Sequence, residues 1–387
     1  MSQKICRLKQ KIDDKQELWE YLRIAMEIEL STIPPYLCAM YSLQAGTNLQ
    51  AYNVIQSVVM EEMLHLTLAA NVLNSVSGPH PLGDRPPMQL PAVEVNNPEY
   101  IPTYPTELPD SNINAPDGEP FLVPLQRFSP AAIDAFLRIE LPDRGGECPK
   151  VEGWNTIGQF YGGLMQGINE LVAAHGAEQV FDGNPDLQIL PEDYYGGAGD
   201  VIVIDGAPHE RHQKALLALE EIVEQGEGVD DSVFDGDFLP CKQSTDGDSE
   251  VPAHYFRFQE IQKGRYYKPG DSPGTPTGEP LTVDWEAVCP MQENPRMSNY
   301  DPGSPVFGKL HEFNLVYSNL LNELQFAFNG HRERLTPAVG GMYDLKYKAI
   351  ALMNIPSGKG DGTTVGPSFE FISENDSGNS SPAGSLG

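Results

Sequence analysis

Glu62 and His65 are the residues of this chain best placed to do chemistry. Three apart on a helix, they leave the same face and can close on one metal ion. They sit in an apolar run from Val54 to Val76, in a stripe that otherwise reads Val58, Ala69 and Val72. A carboxylate in such a stripe needs a cation or a proton. The preceding helical run repeats the anomaly, because Leu18, Leu22, Ala25, Glu29, Thr32 and Tyr36 recur at steps of three and four and carry Glu29 into the buried face. Glu27 projects with Glu20 and Arg23 from the far side. Two neighbouring helices that each aim acids inward match a carboxylate-bridged metal site in a four-helix bundle. A lone Glu-x-x-His is otherwise a surface pair or a satisfied core histidine, and Glu29 in register is what favours the metal.

Other acids and one histidine extend the set. A third helix, about 155–176, has the apolar face Ile157, Phe160, Tyr161, Leu164, Ile168, Leu171 and Val172. Its narrow polar stripe is Gln159, Gly163, Gln166 and Glu170, so Glu170 is its one candidate ligand, the alternative being an exposed Glu near the helix end. A fourth helix, about 208–226, buries Leu216, Leu219, Ile222 and Val223. Glu220, Glu221, Glu224 and Glu227 crowd its last turns against the macrodipole, which calls for a compensating cation or a solvated acidic face. His254 opens a later helical run, about 252–263, and can stand as a second histidine of the site. Arg257 can clamp a substrate carboxylate through its planar fork or make a structural ion pair.

These residues need a mainly α scaffold. The first helix, about 14–45, begins at Asp13 or Asp14 with Glu17 as capping-box partner. Pro34 and Pro35 remove two amide donors, so the helix either kinks beyond Glu29 or ends at Ile33 and restarts. The second helix covers about 50–77. From Gly78 to Pro120 there are eleven prolines and no periodicity, too long for a plain connection, so the segment either roofs the metal pocket or wraps the surface. A short helix from Pro130 to Glu140 is capped by Ser129, Val201 to Ile204 reads as strand-like, and Gly228 to Glu250 as an acidic, Gly-rich loop. Further helices are expected at about 306–330 and 337–354, the last opened by Thr336-Pro337. Residues 1–355 form a single domain, with 356–387 a Gly/Ser-rich tail, mobile beyond Glu374.

At 387 residues and 40% hydrophobic content the chain can fill a sizeable core without staples. Lys and Arg number 25 against 55 Asp and Glu, and a formal charge of −30 excludes nucleic acid and anionic membrane surfaces as partners. Cys6, Cys38, Cys148, Cys241 and Cys289 are odd in number, widely spaced and without Cys-x-x-Cys, so they read as free thiols in a reducing compartment. The polar N-terminus and the absence of an 18-residue apolar run give a cytoplasmic, soluble expectation.

Five blocks carry a resemblance: Glu29 to Tyr36 (ELSTIPPY), Glu61 to His65 (EEMLH), Ile222 to Gly228 (IVEQGEG), His254 to Phe258 (HYFRF) and Thr363 to Glu370 (TTVGPSFE). Together they resemble the ferritin-like family named after iminophenyl-pyruvate dimer synthase. That resemblance implies a ferritin-like four-helix bundle with long loop insertions and an iron site. It also implies Glu29, Glu62, His65, Glu224 and His254 as ligands, with Gln159 standing where an acid is common. Relatives couple imines made from aromatic amino acids in bisindole pigment pathways, and are often much longer. The functional expectation is an iron-dependent oxidase or oxygenase, with one or two iron ions or manganese, acting on a small amino-acid-derived or secondary-metabolite substrate with dioxygen. Arg257 and Tyr36 would be catalytic and Tyr161 a further substrate contact. The alternative is a non-catalytic protein handling iron or peroxide, and homo-oligomerisation is left open.

Overall fold

In the computed structural model the chain describes residues 11–80, 82, 90–91, 93–114, 117–143, 153–194, 201–229, 232–239 and 249–373. Helices α1 (Lys15–Ser42), α2 (Leu49–Val76), α3 (Pro130–Ile139), α4 (Ile157–His175), α5 (Ala177–Val180) and α6 (Pro208–Glu227) come first. A two-stranded antiparallel hairpin of β1 (Phe234–Leu239) and β2 (Ser249–Pro252) follows, then α7 (His254–Lys263), α8 (Pro305–Phe328) and α9 (Leu335–Met353). The bundle is α1, α2, α4 and α6, with α1 packed along α2, α2 and α4 both on α6, and α1 on α4. The α3–α7 pair closes one side against α2 and α6, and the α8–α9 hairpin covers α1 and α2. The fold is mainly α, as the hydrophobic periodicity requires.

Local chemistry sets the helix ends. Asp14 caps α1 by accepting from the Glu17 amide at 3.0 Å, while the Glu17 carboxylate accepts from the Asp13 amide at 2.6 Å. Ser129 caps α3. Gly264, at φ 68°, ends α7 in the left-handed conformation that favours glycine. Helix α1 runs through Pro34 and Pro35 without ending at Ile33. Pro35 cannot donate to the Ser31 carbonyl, and the Tyr104 hydroxyl, from the proline-rich segment, donates to it instead at 2.9 Å.

Three expectations change. Residues 201–204 form no strand: Val201 and Ile204 are buried, and the Ile204 amide donates to the Gln188 side chain, so tertiary contacts consume the β-prone run. The strands instead form within the stretch read as an acidic loop. Helix α9 starts at Leu335 after a 3-10 turn, so Thr336 is inside it and no cap. Of the segment assigned to the tail, residues 368–372 pack on α8, where Asn314 donates to Ser368 and the Ile372 amide donates to Ser318, and Val365 and Phe369 are buried in the main core. The mobility expected beyond Glu374 lies outside the described residues, as do Cys6, Cys148 and Cys241. Cys38 and Cys289 are free thiols, and no helix among the described residues is long and apolar enough to cross a membrane.

Candidate metal centre

Glu29 of α1 and Glu62 and His65 of α2 come together as their register predicts. Packing of the α3–α7 pair on the bundle adds Glu140, the residue that ends α3, and His254, the first residue of α7. All five are buried. The His65 Nδ1 lies 3.3 Å from Glu29 Oε2 and 3.9 Å from Glu62 Oε1. The His254 Nδ1 lies 2.9 Å from Glu62 Oε1 and 3.7 Å from Glu140 Oε2. The two imidazoles stack with centroids 5.2 Å apart.

Every one of these groups is anchored by its outer atom and presents its inner one. Tyr161 of α4 donates to Glu29 Oε1, Thr32 to Glu62 Oε2 and Tyr36 to Glu140 Oε1, each at 2.5 Å. The His65 Nε2 donates to Gln225 Oε1 at 3.0 Å, and Gln225 Nε2 in turn donates to Glu221, which orients the amide. The His254 Nε2 donates to Glu61 Oε2 at 2.9 Å. Because Nε2 of each ring carries a proton, Nδ1 is the inward atom that bears the second proton when the ring is charged and a lone pair when it is neutral. His254 Nδ1 is buried and, despite its 2.9 Å approach to Glu62, has no aligned hydrogen-bond partner.

That inward set of carboxylate oxygens and imidazole nitrogens fits a divalent metal. Oxygen and nitrogen donors of this mix suit iron or manganese, and the outer hydrogen bonds are those that orient metal ligands. A Glu62, His65 and His254 donor group is compact enough for one ion, with ligand atoms within 4.8 Å of one another. The electrostatics agree. Burial and the neighbouring Glu140 and Glu29 push Glu62 up to about 7. Burial opposes charge on both imidazoles but is outweighed, by Glu29 and Glu62 at His65 and by Glu140, Glu61 and Glu62 at His254, so both are raised. Protons are thus the counter-charge that a cation would replace.

Behind His254 the chain builds a second, self-sufficient cluster. Arg257 NH2 contacts Glu61 at 2.8 Å and Asp235 of β1 at 3.0 Å, NH1 donates to Ser57 and Glu61, and Nε donates to the Pro252 carbonyl at 2.5 Å. Burial works against the Glu61 charge, but Arg257 and His254 hold its pKa down to about 2. The guanidinium fork is therefore committed to protein acceptors. Tyr36 is likewise buried against Phe136 and Phe258, its hydroxyl on Glu140.

Two expected ligands sit elsewhere. Glu170 is exposed on α4 and accepts from Gln166 at 2.8 Å. Glu224 is half-buried on the flank of α6, and its neighbour Gln225 faces the site. Glu140, Glu61, Gln225 and Asp235 are the participants not singled out in advance. Gln225 had a signal, since Leu219, Ile222 and Gln225 step by three into one buried stripe. None of the described residues of the proline-rich segment lines the cavity at this centre, which holds about 20 Å³. Its outer wall is Leu141, Ile157, Gly158, Val223, Gly226 and Glu227.

A helical bundle whose buried carboxylates and imidazoles converge from several helices is the architecture of carboxylate-bridged metal proteins. The ferritin-like family model matches residues 22–263, more than half of the chain, and the protein belongs to that family. A ferritin-like protein from Caulobacter vibrioides has the same fold, with a TM-score of 0.55 and 20% identity, over 90% of this chain and 97% of that one. No curated protein matches the sequence.

Proposed function

We propose that this chain is a non-haem iron oxidase or oxygenase acting on a small, amino-acid-derived or secondary-metabolite substrate. The observation that carries the reading is the convergence of two buried imidazole atoms, His254 Nδ1 and His65 Nδ1, on the carboxylates of Glu29, Glu62 and Glu140 while every outer atom is anchored. Iron bound there supplies redox exchange with dioxygen, and manganese is the alternative ion.

The chain's own residues do the rest. Thr32, Tyr36 and Tyr161 hold one oxygen of each carboxylate, so the other stays in place as charge changes. Glu61, kept ionised by Arg257, fixes the tautomer of His254. Arg257 and Tyr36 thereby act as positioning residues. At about 20 Å³ the cavity takes little more than a water-sized molecule beside an ion, so a larger substrate meets the centre at its outer wall, where Leu141, Ile157 and Val223 offer apolar contact. The resemblance of five sequence blocks to the iminophenyl-pyruvate dimer synthase family supports oxidative coupling of imino acids as one version of this reaction, beside another oxidative step on an amino-acid-derived or secondary-metabolite substrate. The unpaired thiols of Cys38 and Cys289 suit a reducing, cytoplasmic setting.

The test is metal content of the protein purified without added metal, in wild type and in Glu62→Ala, His65→Ala and Glu140→Ala. About one or two iron ions per chain in wild type, lost in the variants, together with substrate-dependent oxygen consumption, is the expected result. No metal in wild type even after anaerobic ferrous loading overturns the reading. Iron that turns over with oxygen or peroxide alone, whatever small molecule is added, replaces it with non-catalytic iron handling.

A further inference from the structure

We propose that the cleft between residues 98–104 and residues 368–371 is a second ligand site, which binds a small zwitterion of the α-amino acid type with its carboxylate on Arg296 and its ammonium on Glu370. The cleft holds about 270 Å³, far more than the cavity at the metal centre. That is space for about nine waters, the size of an amino acid.

The two charged residues that line it are not spent on each other. Arg296 donates from NH2 to the Tyr104 carbonyl at 2.7 Å and forms no ion pair among the described residues, which leaves most of its five N–H groups for a ligand. Glu370 accepts through Oε2 from the Met297 amide at 2.8 Å and from Asn314 at 3.4 Å, while Oε1 has no donor among the described residues. Opposite charges in one small cleft ordinarily collapse together, and here Arg296 is tied to the Tyr104 carbonyl and Glu370 to the Met297 amide without an ion pair between them. A molecule that carries both charges satisfies both groups at once. Ile101, Pro102 and Phe371 supply apolar surface for its side chain.

The floor is strained. Phe369 has φ 48°, a left-handed conformation costly for a residue with a Cβ. Its ring is wedged edge-on against Phe313 and Tyr317, at 4.9 and 5.3 Å. Asn314 pins both sides of it, donating to Ser368 Oγ at 2.9 Å and accepting from the Glu370 amide at 3.1 Å. Packing thus enforces a backbone turn that delivers Glu370 to the cleft. None of these residues belongs to the metal centre, and the proposal stands independently of it.

The experiment is calorimetric titration of the full chain with L-phenylalanine, L-leucine and glycine. Variants are Arg296→Gln, Glu370→Gln, and Thr103→Trp, which fills the cleft from its exposed rim without breaking either tie. Wild type is expected to bind at least one of the three saturably, each charge variant to lose roughly tenfold or more, and Thr103→Trp to lose binding. Phenylpropionate and phenylethylamine, each lacking one charge, should bind about tenfold more weakly than phenylalanine. The acid should be indifferent to Glu370→Gln and the amine to Arg296→Gln. Should Glu370→Gln not fold, Thr103→Trp and the two single-charge probes carry the test. His65→Ala should bind as wild type does. No saturable binding of any of the three, binding unchanged in Arg296→Gln and Thr103→Trp, or loss in His65→Ala overturns the proposal.

Discussion

Glu61 and Glu62 are adjacent on α2, and the protein treats their charges in opposite ways. Glu61 meets Arg257 and the Nε2 of His254 and is held at a pKa of about 2 despite burial. Glu62 meets Glu140, Glu29 and two inward Nδ1 atoms, and burial with those acids raises it to about 7. One cluster carries a permanent cation in Arg257, and the other is balanced only by protons held on its imidazoles and on Glu62. A buried charge cluster left without a built-in counter-ion is costly as a structural device and sensible as a binding site, because the bound ion supplies the missing charge.

The largest expected effect breaks the balanced side. Arg257→Met leaves Glu61 and Asp235 without their cation, and should cost about 3 kcal/mol in urea unfolding of the chelated protein. Glu62→Gln should have the opposite sign in that assay. An acid whose folded pKa is raised is destabilising wherever it is ionised in the folded state. The penalty is absent below the unfolded value of 4.5, grows as pH rises, and is complete above about 7. The variant should therefore be more stable than wild type by on the order of 2 kcal/mol at pH 8.5, and equal to it at pH 4. If both variants destabilise at pH 8.5, the distinction between the clusters fails.

Metal binding sharpens the same contrast. The raised His65, His254 and Glu62 hold protons that an ion must displace. Affinity for cobalt(II), used as a spectroscopic substitute, should fall about tenfold per pH unit for each proton released as pH drops below 7. Titrations at pH 6, 7 and 8 with an indicator dye would measure both affinity and proton release. A pH-independent affinity would contradict the proton-loaded picture. The anchors should matter less than the ligands: Tyr36→Phe and Glu61→Gln are each expected to weaken cobalt affinity by about 10- to 100-fold while keeping the stoichiometry.

How much of this was legible depends on where each residue sits in its element. Glu29, Glu62 and His65 lie mid-helix, where a period of 3.6 fixes the face, and the register alone brought them together. Glu140 ends a ten-residue helix, where no later turn shows which way it faces, and only the docking of α3 with α7 buries it. The α6 acids invited Glu224, yet the stripe of Ala215, Ala218, Leu219 and Ile222 continues to Gln225, a rotation of one residue. Glu170 shares its polar stripe with Gln159, but the α4 surface turns outward along that stripe, so Gln159 is buried and Glu170 exposed. The ion pair of Arg257 with Asp235 needs a hairpin placed by tertiary packing, beyond the reach of local pattern.

The smallest effect concerns the same helix that carries Glu29. Pro35 leaves the Ser31 carbonyl without its helical donor, and Tyr104 replaces that donor from outside, one residue before the Thr32 that anchors Glu62. Tyr104→Phe should therefore cost about 1 kcal/mol, the usual net worth of a buried hydrogen bond. Pro35→Ala restores an amide to the same carbonyl, so in that background the cost of Tyr104→Phe should shrink by more than half. A double-mutant cycle read by urea unfolding gives the coupling directly. Equal costs in both backgrounds would mean that Tyr104 acts through ring packing alone, and that the proline-rich segment does not repair the helix beside the metal centre.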